Sequence, residues 1–122
     1  MLEAELVQLV EKVISEKCEK QHIELKRASG GTPTKLYDTL SSFSNQLDGG
    51  TIIFGIDEEA GYKVVGVYDA QELQKKVMEQ SLQMEPVVRP LFTVAHILDK
   101  LVVSAEISEC DIYDKPCFYK GA

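Results

Sequence analysis

Apolar residues at Leu2, Leu6, Leu9, Val10, Val13 and Ile14 recur at helical spacing and predict an amphipathic helix over about residues 2–18. "HIELKRA" then alternates. His22, Glu24 and Lys26 point one way and Ile23 and Leu25 the other, the pattern of a half-buried strand with a free polar side. Thr32-Pro33 reads as a helix start, threonine as cap and proline at the first position. Leu36, Leu40, Phe43 and Leu47 carry that helix's stripe until Asp48-Gly49-Gly50 ends it. Thr51–Ile56 is apolar on both faces and belongs in the middle of a sheet covered on both sides. "EEAGY" turns the chain and "KVVGV" returns it. Asp69 caps a third helix over about residues 70–82, and Pro86 and Pro90 bracket an irregular link. "LFTVAHIL" and "LVVSAEIS" flank a two-residue turn at Asp99-Lys100, and "KPCFYKGA" begins another strand. The order α, β, α, β, β, α, β, β, β predicts an α+β domain, about three helices packed against a mixed sheet.

With 122 residues, 44% of them apolar, the chain has the length of one domain with a real core. It contains no apolar run of the length a membrane span needs, about 18 residues. The acidic, amphipathic start is neither a secretory signal nor a transit peptide. Cys18, Cys110 and Cys117 are odd in number and lack CxxC spacing, so a reduced, cytoplasmic setting is expected. Cys18 and His22 are four residues apart, but two further zinc ligands at suitable spacing are missing.

The formal net charge of −7 argues against a general nucleic-acid coat, which works by neutralising phosphate. Locally the balance reverses. Lys17, Lys20, Lys26, Arg27 and Lys35 face only Glu19 and Glu24, a surplus of three positive charges. An ordinary solvated face has the same composition.

"LDGGTIIFGIDEE" invites a phosphate-loop reading, because Gly50 and Gly55 are spaced like P-loop glycines. Ile56-Asp57 stands where Lys-Ser/Thr should be, and the run follows a helix instead of opening one. Asp48-Gly49-Gly50 is therefore a turn that launches a strand. No G-x-S-x-G elbow surrounds Ser29, Ser41, Ser42 or Ser44, and His96 sits among apolar strand residues, so nucleophilic catalysis has no support. Tyr37 and Phe43 read as core, and the remaining tyrosines form no stacking ladder.

Four pieces in order resemble the Schlafen-type AlbA-like domain. These are Glu24-x-Lys26, then Ser42-Phe43-Ser44-Asn45 before Gly49-Gly50, then Gly55-Ile56-Asp57-Glu58, then Val65-Gly66-Val67. Serines replace the small alanines of the family's helix motif, and the likeness runs from about Glu19 onward. The resemblance implies that Asn45, Gly49, Gly50 and Gly55 are structural, holding the helix-to-strand corner and the strand end. It also implies a DNA-binding domain, with RNA as the other candidate, at the front of a longer transcriptional-regulator-like or divergent ATPase-like protein. Lys26, Arg27 and Lys35 would then contact phosphates.

Some members of the family resemble metal-dependent RNA endonucleases. Their pattern falls here on Glu19-x-x-x-x-Glu24-x-Lys26 with Asp57, or Glu58, as the third acid. Carboxylates from separate elements suit Mg²⁺ or Mn²⁺, which prefer oxygen ligands, and Lys26 could stabilise developing charge. The plainer alternative pairs Glu19 and Glu24 with Lys20 and Lys26 and lets Asp57 open a turn. The primary expectation is a binding domain without a cofactor. A third possibility is an oligomerisation or scaffold domain. "KPCFYKGA" stops where an edge strand should be, so a homodimer through C-terminal strands or the first helix is expected.

Overall fold

The computed structural model describes residues 1–17 and 21–121. Its centre is Gly50–Phe54 (β2), which pairs in parallel with Ile23–Lys26 (β1) and antiparallel with Lys100–Ile107 (β7). Leu91–Ile97 (β6) completes a four-stranded sheet of order β1-β2-β7-β6. A parallel pair cannot be joined by a tight hairpin, and the crossover from β1 to β2 runs through Tyr37–Asn45 (α2).

The two apolar faces of β2 feed two cores. Ile52 and Phe54 meet Leu36, Leu40 and Phe43 from α2 and its approach, and Leu73 and Val77 from Ala70–Ser81 (α3). Ile53 meets Leu6, Val10 and Val13 of Glu3–Glu16 (α1), together with Leu25 of β1. Each fully buried side chain of this size stabilises the fold by about 1.5–3 kcal/mol, so β2 is anchored from both faces of the sheet. The apolar stripe of α1 lies against the domain's own sheet. Its start also covers the β6 edge, where Glu3 accepts the His96 N–H at 3.2 Å and Thr93 Oγ1 donates to the Met1 carbonyl at 2.9 Å.

Four details depart from the sequence reading. First, α2 starts at Tyr37 instead of at Thr32-Pro33. The N–H of Leu36, just ahead of the helix, is taken by Gln80 Oε1 of α3 at 3.0 Å, and Gln80 Nε2 donates to the Pro33 carbonyl at 2.9 Å. Thr32 pairs its hydroxyl with Tyr68 instead. Leu47, the last member of the predicted stripe, lies beyond the helix and is exposed.

Second, the run Thr51–Ile56 breaks at Gly55, whose φ is +112°. The Gly55 carbonyl accepts the N–H groups of Val65 and Gly66. Ile56–Asp57 (β3) then leaves the main sheet and pairs with Lys63–Val64 (β4).

Third, the β6–β7 turn is Leu98-Asp99, both at positive φ, so that Ile97 pairs with Lys100. Lys100 stays in the strand, with its stem over Gly66; a Cβ on Gly66 would lie 3.1 Å from Lys100 Cβ.

Fourth, the C-terminal strand is short, Phe118–Tyr119 (β8). It pairs with Met84–Glu85 (β5), a strand the prolines had hidden, instead of forming an edge of the main sheet.

Candidate functional site

β1 is an edge strand of the main sheet, and its alternation places Leu25 in the core while Glu24 and Lys26 stay about one-third exposed. Lys26 Nζ lies 3.8 Å from Glu24 Oε1, a loose ion pair. Because β3 leaves the sheet at Gly55, an open groove of about 470 Å³ forms beside β1. It is lined by Glu24, Lys26, Arg27, Asp57, Glu58 and Glu59.

Asp57 has a structural use there. Its Oδ1 accepts the N–H groups of Glu59 at 3.1 Å and Ala60 at 3.3 Å, capping the short 3₁₀ turn Glu58–Ala60. The groove brings Glu24 and Asp57 onto one wall system with Lys26. Glu19, the remaining acid of the proposed metal set, lies outside the described residues. Among the described residues no three His, Cys, Asp or Glu side chains converge as a metal cage.

The basic residues divide. Lys26 and Arg27 line this groove, whereas Lys35 lines another, about 560 Å³, between the Gly31–Lys35 loop and α3. Nothing in the linear charge count separates them. The separation follows from the loop, which crosses from the end of β1 to α3 before α2 begins. Tyr37 and Tyr68 line the second groove. The helical stripe predicts Tyr37 as core, but it is only half-buried and its ring stacks on Tyr119 at a centroid distance of 3.7 Å.

The glycines act through space and backbone. At Gly49, with φ +67°, a Cβ would lie 2.0 Å from the Ile107 carbonyl oxygen; at Gly50 one would lie 2.4 Å from the Phe43 ring. The corner is also held by His22, whose Nδ1 lies 2.9 Å from the Gly49 carbonyl oxygen, and by Gln46, whose Nε2 donates to that oxygen at 3.0 Å. Asn45 works elsewhere. Its Nδ2 donates to the Cys117 carbonyl at 3.0 Å and its Oδ1 accepts the Cys117 N–H at 2.6 Å, clamping the C-terminal segment to α2.

Glu109, which no local pattern in the sequence marks, ties the same region together. It accepts from Lys115 Nζ at 2.6 Å and from the Asp48 N–H at 3.2 Å, and these bonds hold its carboxyl below the ordinary value of 4.5. Its role arises from the fold, which brings residues 48, 109 and 115 together.

The fold has solved counterparts. The N-terminal domain of a RecG-related protein from Nitrosomonas europaea superposes with a TM-score of 0.77 at 25% identity, over 93% of this chain and 78% of that one. The DIP2311 protein from Corynebacterium diphtheriae gives 0.60 at 16% identity, over 97% of this chain and 24% of that larger one. No curated protein matches. The Schlafen, AlbA_2 family model covers residues 19–120, and the chain belongs to that family.

Proposed function

We propose that this chain is a nucleic-acid-binding module, DNA being the first candidate, of a transcriptional-regulator-like protein. Family membership and the likeness to the N-terminal domain of a protein named for its relation to a DNA helicase support a nucleic-acid-related role. The observation that carries the reading is the placement of Lys26 and Arg27. On a chain of net charge −7 they stand side by side at the end of an edge strand, lining a groove they share with Glu24, Asp57, Glu58 and Glu59, with Arg27 exposed. Among the described residues no helix is long and apolar enough to cross a membrane. A cytoplasmic setting, further domains in the full protein and a homodimer belong to the same proposal. For that homodimer the β5–β8 side, where Phe118 is 52% exposed, is the proposed copy-to-copy surface, since the α1 stripe faces its own sheet.

Fluorescence anisotropy with labelled single- and double-stranded DNA and RNA across a salt series tests the binding reading. The Lys26→Ala/Arg27→Ala variant should weaken all sequences alike and flatten the salt slope by about one unit per lost contact. Undetectable binding at low salt would reject it.

A second reading has one specific observation behind it: Glu24 and Asp57 share a groove with Lys26. With Glu19 they would supply the oxygen donors that Mg²⁺ or Mn²⁺ prefers. Such a metal, when bound, supplies a polarised phosphodiester and an activated water. On this reading Mn²⁺ should raise the melting temperature by linkage, and Glu24→Gln should remove that rise. A melting temperature indifferent to Mn²⁺ sinks the metal reading and leaves binding untouched.

A further inference from the structure

The wider groove lies between α3 and the Gly31–Lys35 loop, which belongs to the connection from β1 to its parallel neighbour β2. Its volume, about 560 Å³, falls within the range of small-ligand sites.

Its walls are fixed before any ligand arrives. Gln80 holds the loop at Pro33 and Leu36, Tyr68 OH and Thr32 Oγ1 lie 2.7 Å apart, and the Tyr68 N–H donates to the Ala28 carbonyl at 3.0 Å. Lys35 is held at φ +61°, a left-handed conformation that bulky residues resist, at the mouth of the groove. Gly30 and Gly31 leave the loop open, since a Cβ on either would meet nothing within 4 Å. Opposite, α3 presents Lys76, half-exposed and 3.6 Å from Glu72. Tyr68 is 37% exposed.

We propose that this groove takes a short stretch of single-stranded nucleic acid, one base against the Tyr68 ring and adjoining phosphates on Lys35 and Lys76. The inference rests on the nucleic-acid reading above and adds a second contact region to it. The charge balance selects the single strand. Lys35 and Lys76 face Glu72 and Glu79 across the same groove, so phosphate attraction alone is weak and a duplex offering only backbone gains little. An unstacked base can use an aromatic face regardless of its identity.

Anisotropy with labelled oligodeoxythymidine and with a blunt duplex of equal length tests this. The single strand should bind tighter. Tyr68→Ala should weaken it roughly ten-fold, whereas Tyr68→Phe, which keeps the ring, should retain binding. Lys35→Ala should lower the salt slope by about 0.7, the value for one phosphate contact on a single strand. Thermal melting of each variant confirms that it is folded. Equal losses in Tyr68→Ala and Tyr68→Phe would assign the effect to the Thr32 hydrogen bond and overturn the stacking. Preference for the duplex, or losses confined to Lys26→Ala/Arg27→Ala, would overturn the groove and leave the binding function standing. No binding by any form would overturn both.

Discussion

Glu109 and Gly49 meet across the corner where α2 hands the chain to β2, and each can be tested alone. The Glu109 carboxyl titrates below its ordinary 4.5 because Lys115 and then the Asp48 N–H bind its charged form. Its contribution to stability is therefore fully present above the unfolded value and is lost as pH falls through the lowered folded value. Glu109→Gln should lower the melting temperature at neutral pH and flatten the pH dependence below about 4.5. An unchanged acid limb would show that solvent screens the pair. Gly49→Ala meets a harder obstacle, because the new methyl would fall 2.0 Å from a backbone carbonyl at a positive φ. The left-handed penalty alone is about 1–2 kcal/mol, and with the clash the loss should reach roughly 3 kcal/mol in urea denaturation. Gly61→Ala shares the positive φ but meets nothing within 4 Å, so it should show the penalty without the clash.

Elements whose signals lie within a few residues were legible before the structure. β2 shows its central place because both alternating faces are apolar, and α1 because its stripe is unbroken over 14 residues. The start of α2 was not legible, because the group that receives the Leu36 N–H, Gln80, lies on another helix. The candidate site's layout was legible in part. Glu24, Lys26 and Asp57 do line one groove, but Lys35 departs to a second because the loop's path depends on its anchors to α3 and Tyr68.

The β6–β7 turn is the element-scale test. A two-residue turn with both central residues at positive φ favours Asn-Gly, yet Leu98 and Asp99 occupy it at +51° and +61°, with Leu98 79% exposed. Leu98→Asn with Asp99→Gly removes strain without removing core contacts and should stabilise the domain by about 1 kcal/mol. A loss of stability in denaturant titration would mean that the turn is held by contacts Leu98 makes.

At the scale of the whole molecule, charge acts on folding and on binding with opposite signs. A formal charge of −7 on 122 residues repels itself in the compact state. Raising ionic strength from 0.01 M to 0.15 M shortens the screening length from about 30 Å to about 8 Å. The melting temperature of the free domain should therefore rise over that range. On the proposed binding, nucleic-acid affinity should fall over the same range, because each phosphate that Lys26, Arg27, Lys35 or Lys76 would hold releases a counterion that added salt opposes. Measuring both in one buffer series separates the two effects. If salt lowered the melting temperature instead, local pairs such as Lys115–Glu109 and the Met1 ammonium with Glu106 would outweigh the global repulsion. If affinity did not respond to salt, the lysines and Arg27 would not be touching phosphate, and any binding would have to come from base stacking on Tyr68 alone.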